Sequence, residues 1–212
     1  MRTLVGRRAN NDEHAMVISA PSYAQVRRVF GHFVRTVYRL EVVGAERIPA
    51  TGPAVVVGNH DSVLDGIVLG AAIERDLRFL GKAELWRFRP LAWALDGVGA
   101  IRIERGRGDQ EALARAREAL EAGQVVAIFP QGAVRGDRRW RRGAARLALA
   151  TGAPIVPVRL VGTARALSRR SIGFPRLRVV IGEPISVAAT PDDPDAASEL
   201  TERLRLAVDA LL

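Results

Sequence analysis

The chain has 212 residues, of which 48% are hydrophobic and 26% charged, the balance of a folded globular protein and not of a disordered one. It contains no cysteine, which excludes a disulfide scaffold, a thiolate metal site and a cysteine nucleophile. The 32 basic and 23 acidic residues leave a net charge of +9, carried by arginine because Lys82 is the lone lysine; such a chain is drawn to polyanions such as nucleic acid, anionic lipid and phosphorylated substrates.

Residues 1–21 mix Arg, Asn, Asp, Glu and His without periodicity, which predicts a flexible N-terminus. They have no apolar core behind their arginines and do not read as a secretory signal, so the expected compartment is the cytoplasm. Val26, Val29, Phe30, Phe33, Val37 and Leu40 then recur at helical spacing among Arg27, Arg28, Arg35 and Arg39. This predicts a basic amphipathic helix over 22–41, which either packs on the core or lies in a membrane interface. The run Ala54–Gly58 predicts a buried strand, followed by a helix over 64–73 and a short strand over 77–80. A Trp- and Phe-rich helical stretch over 84–95 precedes a strand over 100–103 and a helix over 109–122 that stops at Gly123. A strand over 125–129, a helix over 141–150 ended by Gly152, strands over 155–160 and 177–181, and a helix over 199–212 behind an acidic segment complete the chain. No apolar run reaches the roughly 18 residues of a membrane span. Strands alternating with helices predict an α/β fold: a single domain over 42–190 with a mixed, largely parallel sheet flanked by helices, and a C-terminal helix within 191–212 packed on it.

The stretch Val55–Gly66 places His60 just past a buried strand, and ligands of open α/β sheets gather at the carboxyl ends of strands. Asp61 and Asp65 follow it. A carboxylate that holds one imidazole nitrogen makes the other a competent general base at neutral pH. The same residues are open to a second reading, in which His60 caps a helix start and the aspartates complement its dipole. A third reads Gly58-Asn59-His60-Asp61 as the string of a metal-dependent phosphoesterase. A two-metal site needs several more His and Asp ligands, and no histidine follows residue 60.

His60 and Asp65 have the H-x4-D spacing of the glycerolipid acyltransferases, and residues 42–185 resemble that family. The segment 59–65 is similar to its first block, and 81–85 to a block with a lysine before Glu-Leu. The segment 99–105 resembles the second block, ending in Arg105. The segment 129–135, Phe-Pro-Gln-Gly-Ala-Val-Arg, resembles the third block, Phe-Pro-Glu-Gly-Thr-Arg, and 153–158 resembles the fourth. The resemblance implies transfer of a fatty acyl group from a thioester, acyl-CoA or acyl-carrier protein as co-substrate, to the free hydroxyl of a lysophospholipid such as 1-acyl-glycerol-3-phosphate. It makes His60 the general base and Asp65 its orienting partner, with no metal and no cofactor. A serine nucleophile at Ser62 is the lesser alternative, and no G-x-S-x-G elbow is present. Asn59, Ser62, Lys82, Arg105, Gln131, Gly132 and Arg135 are the implied substrate-binding residues, with Arg105 the phosphate contact. The third block departs from the pattern: Gln131, Ala133 and Val134 stand where the family has Glu, Thr and Arg, so Arg135 either takes over the phosphate or the acceptor differs.

From Arg135 to Arg178 there are twelve arginines against one acid, Asp137. This reads as a solvated basic surface, as a dock for an anionic bilayer on the inner face of the cell membrane, or as a dock for an acyl-carrier protein. Nucleic acid is not expected as a partner, because the segment offers no aromatic platform beyond Trp140. A basic membrane- or nucleic-acid-binding protein with a vestigial site remains the alternative to an enzyme.

Overall fold

The run Ala54–Gly58 is buried along its whole length, and a strand apolar on both faces has to be covered on both. The computed structural model describes residues 21–103, 108–132, 134, 139–167, 172–190 and 193–211. The predicted flexible segment 1–21 falls outside these except for Pro21. In chain order the elements are α1 (Tyr23–Val37), β1 (Glu41–Val43), β2 (Ala54–Gly58), α2 (Asp65–Ala72), β3 (Leu77–Lys82), α3 (Arg89–Gly97), β4 (Ile101–Ile103), α4 (Gly108–Glu121), β5 (Val125–Ile128), α5 (Gly143–Thr151), β6 (Ile155–Val161), α6 (Thr163–Ala166), β7 (Arg178–Ile181) and α7 (Pro194–Asp209).

Among the described residues the strands form a seven-stranded sheet in the order β1-β7-β6-β2-β5-β3-β4. Every neighbouring pair is parallel except β6 with β7. Side chains alternate across the sheet. Ala54 and Val56 enter one core with Val34 of α1 and Val68 and Leu69 of α2. Val55 and Val57 enter the other with Ala116 and Leu120 of α4, Leu147 of α5 and Leu200 and Leu204 of α7. This is the expected α/β domain.

The strand directions place the functional edge. In the parallel pairs Gly58 of β2 lies opposite Val158 of β6, Val57 opposite Ile128 of β5, and Phe79 of β3 opposite Ala127. The carboxyl ends of β2, β5, β3, β4 and β6 therefore open on one edge. β7 returns with Arg178 opposite Val161, so the segment between β6 and β7 lies at that edge too.

Several predicted elements differ in detail. The stretch over 84–95 is a 3-10 turn at Ala83–Arg87 followed by α3, with Phe88 extended between them and Pro90 in the first turn of α3, where its missing N–H leaves no helix bond unmade. α7 starts at Pro194, ahead of the expected start at residue 199: Asp193 caps it, accepting from Asp195 N and Ala196 N at 2.9 and 3.0 Å, with proline in its first turn. β1, three residues at the sheet edge, and α6, four residues, have patterns too short to read from sequence.

α1 begins with a capping box between Ser22 and Gln25. Its apolar residues divide. Val34 and the following Tyr38 enter the core, while Val29, Phe30 and Phe33 stay exposed. Arg27 and Arg35 donate to the carbonyls of Glu74 and Ala71 at the C-terminal end of α2, where the helix dipole favours cations. Burial between α1 and the start of β3 raises the Tyr23 phenol above its ordinary pKa of 10.0. No described helix is long and apolar enough to cross a membrane.

Candidate active site

Past Gly58 the chain leaves the sheet through residues 59–64 and enters α2 at Asp65. Asn59 continues the β2–β6 ladder with its side chain: its Oδ1 accepts from Leu160 N at 2.7 Å and its Nδ2 donates to Leu160 O at 3.0 Å. The same Nδ2 donates to Asp61 Oδ2 at 2.6 Å. A side-chain amide here imitates one more residue of strand and clamps the end of β2 to β6.

Asp65 holds the turn together. Its Oδ2 accepts from Asp61 N at 2.7 Å and Ser62 N at 2.8 Å, and lies 2.9 Å from His60 Nδ1. The carboxylate is fully buried at the first position of α2, where the free N–H groups of the helix favour negative charge. Its Oδ1 is buried with no hydrogen-bond partner among the described residues. Since Oδ2 can only accept, Nδ1 carries the proton and Nε2 is left with its lone pair. The His60 side chain is 19% exposed, so the ring is held from behind and open in front. It stacks on Phe129 with centroids 4.5 Å apart and planes 15° from parallel.

The third block supports the same turn from the neighbouring strand. Gln131 Oε1 accepts from His60 N at 2.5 Å. Gly132 follows in the left-handed region at φ 64°. The conformation lets the chain turn back after β5, and a side chain there would be strained.

The remaining expected residues divide. Ser62 is buried; its hydroxyl donates to Leu167 O at 3.4 Å and accepts from Leu64 N at 3.3 Å, so the structure gives it protein partners instead of a free edge. Asn59 is engaged by protein in the same way. Lys82 ends β3 on the same edge as His60, two strands across, a separation of about 10 Å by the usual strand spacing. It lies opposite Ile103 of β4, so the block around it adjoins the second block in the sheet. Arg105 and Arg135 lie outside the described residues. Phe129, which carries the imidazole, and Arg141, discussed below, were not singled out by sequence reasoning. Phe129 was legible as the last apolar residue of a strand and the first residue of the third block, but not as a support for the imidazole.

The arginine excess over 135–178 is tempered by acids from distant sequence. Arg159 pairs with Asp209 at 2.9 Å and Arg178 with Glu41 at 3.4 Å. Arg142 donates to Ser198 Oγ at 3.2 Å.

The Acyltransferase family model matches residues 39–161. The chain belongs to the acyltransferase family. A chloroplastic 1-acyl-sn-glycerol-3-phosphate acyltransferase of Arabidopsis thaliana is 30% identical over 75% of this chain and 49% of its own length. A chloroplastic relative of the same name from Brassica napus is 29% identical over 77% of this chain and 52% of its own. The chain thus spans about half the length of these two relatives. A Bacillus subtilis 1-acyl-sn-glycerol-3-phosphate acyltransferase is 26% identical over 70% of this chain and 75% of its own length. The crystal structure of the 1-acyl-sn-glycerophosphate acyltransferase of Thermotoga maritima has the same fold, with a TM-score of 0.66, 22% identity and coverage of 89% of this chain and 80% of that one. His60, Asp65, Lys82, Phe129 and Gln131 all fall inside the matched segment.

Proposed function

We propose that this acyltransferase moves a fatty acyl group from a thioester donor, acyl-CoA or acyl-carrier protein, to the free hydroxyl of a lysophospholipid of the 1-acyl-glycerol-3-phosphate type. The observation that carries the reading is the 2.9 Å contact between His60 Nδ1 and a fully buried Asp65, with the ring open on its other side. An alcohol becomes an adequate nucleophile only as a base removes its proton in the transition state. His60 Nε2 takes the hydroxyl proton while the oxygen attacks the thioester carbonyl. The tetrahedral intermediate collapses with cleavage of the C–S bond, and the imidazolium returns its proton to the departing thiolate. The products are an ester and a free thiol. Asp65 keeps the tautomer and stabilises the imidazolium, which also faces the ring of Phe129. The names of the curated relatives support the acceptor class.

Both substrates are amphiphiles, and apolar side chains surround the site. Phe33 packs edge-on against Tyr38, which stacks on Phe174 in the segment between β6 and β7. Phe33 and Phe174 are 53% and 70% exposed, and Val63 and Ile172 are exposed beside them in sequence or at the same edge. In our reading this rim, bordered by unburied arginines, dips into the inner face of an anionic cell membrane and leaves the protein peripheral.

The test is thiol release from acyl-CoA in the presence of 1-acyl-glycerol-3-phosphate, with wild type and His60→Ala. A loss of at least about a hundredfold in the variant is expected for a general base. Release that survives the substitution removes His60 from the chemistry and the proposal with it.

A further inference from the structure

The third block contains no cation where the family resemblance has one, because Val134 occupies that position. Gln131 cannot serve either, since its carbonyl is engaged by the His60 N–H. The structure brings another residue to this turn. The backbone N–H of Arg141 donates to Pro130 O at 3.1 Å, which seats residue 141 directly against the Phe129–Gly132 bend. Its side chain then runs along Gly132. A Cβ placed on that glycine would stand 3.4 Å from Arg141 Nε, 3.7 Å from Cδ and 3.8 Å from Cζ. Gly132, in the left-handed region, turns the chain so that the guanidinium lies within ordinary contact distance of the bend.

Arg141 differs from its neighbours in being uncommitted. Arg142, Arg159 and Arg178 each have an oxygen partner. The guanidinium of Arg141 has no hydrogen-bond or ion-pair partner among the described residues, and the side chain is exposed. It stands on the turn whose preceding residue holds the general base. β5, from which the turn springs, lies between the strand that ends at His60 and the strand that ends at Lys82. A guanidinium fork offers two parallel donors to phosphate oxygens, a geometry an ammonium does not match.

We propose that Arg141 is the phosphate-binding residue of the third block and fixes the phosphomonoester of the acceptor, in place of the arginine that Val134 displaces. This rests on the acyl-transfer reading above. A phosphomonoester is also present on coenzyme A, so the test has to separate the acceptor from the donor.

Full-length wild type, Arg141→Ala and Arg141→Lys are compared in thiol-release kinetics with acyl-CoA and 1-acyl-glycerol-3-phosphate. Each is also titrated calorimetrically with glycerol 3-phosphate, which requires no turnover. Loss of a charge-assisted contact made equally in ground and transition states should raise the acceptor KM about tenfold in Arg141→Ala with kcat within about twofold. The donor KM stays unchanged, Arg141→Lys recovers part of the loss, and glycerol 3-phosphate binding weakens by a similar factor. An unchanged acceptor KM overturns the proposal. A rise confined to the donor KM assigns the phosphate to coenzyme A and overturns it too. If wild type transfers nothing to this acceptor, the functional reading fails, and the titration alone decides: glycerol 3-phosphate binding that does not depend on Arg141, or no binding at all, overturns the assignment.

Discussion

The side-chain oxygen of Gln131 lies 2.5 Å from the backbone nitrogen of His60, so the third block grips the turn that carries His60 by its main chain. Only an oxygen can accept from that N–H, which fixes the orientation of the amide. A glutamate would present the same acceptor, and the loss of charge in this chain therefore leaves the clamp intact. Gln131→Glu should keep kcat within a few-fold of wild type. Gln131→Ala strands a half-buried N–H, at a cost of about 1–3 kcal/mol, and frees the ring to shift. Misplacement of that kind should lower kcat by about ten- to a hundredfold with a smaller change in KM. If KM rises and kcat does not, Gln131 binds substrate instead of positioning His60.

Asp65 has two duties that one substitution can separate. Its Oδ2 binds two backbone N–H groups as well as the imidazole. Asparagine keeps an oxygen in that place and removes the charge that stabilises an imidazolium. Asp65→Asn should remain folded, with a modest loss in thermal stability, while kcat falls by about a hundred- to ten-thousandfold, the range seen when the carboxylate of a comparable triad is neutralised. Activity within tenfold of wild type in a folded variant would show that His60 works without the carboxylate.

The layout of this site was legible wherever chemistry and periodicity coincided. The fully apolar run Ala54–Gly58 marked a central strand, and the five-residue step from His60 to Asp65 marked a dyad that the turn then closes. Less legible were groups whose role depends on a distant partner. Asn59 and Ser62 read as substrate contacts because the family resemblance implied it for polar residues of the first block. Their partners, Leu160 and Leu167, are about a hundred residues away and meet them only through the β2–β6 pairing. Phe129 had no polar signal at all. The basic character of the 135–178 segment was legible, but not the acids Asp209 and Glu41, which reach Arg159 and Arg178 from other elements. The helix over 22–41 was ambiguous by nature: its apolar positions serve the core at Val34 and Tyr38 and face outward at Val29 and Phe33, and a single stripe in sequence cannot show that division.

That division makes membrane docking testable without unfolding the protein. Phe33 and Phe174 are exposed and meet through Tyr38. Replacing both with serine should cost about 1 kcal/mol or less of stability, the scale of an aromatic contact. Transfer of two such rings into lipid is worth more than that. Co-sedimentation of Phe33→Ser/Phe174→Ser with vesicles containing phosphatidylglycerol should drop about tenfold or more relative to wild type. Undiminished sedimentation would locate the docking surface elsewhere.

Gly58 joins the last residue of β2 to both the β6 strand and the aromatic shelf under His60. A Cβ added there would meet Leu160 Cδ1 at 3.1 Å, Val158 O at 3.3 Å and Phe129 Cε1 at 3.6 Å. The leucine methyl can yield by a rotamer change, but the carbonyl belongs to the β2–β6 ladder and the ring supports the imidazole. Overpacking of this kind costs about 1–3 kcal/mol. Gly58→Ala should therefore lower the thermal midpoint measurably, and a fall in kcat would come from a shift of the β2 end that carries His60, since Phe129 stands at ordinary contact distance. Gly58→Ala combined with Leu160→Val makes room on the β6 side alone. It should recover stability and activity together, and stability regained without activity would mean that the methyl disturbs His60 from the Phe129 side.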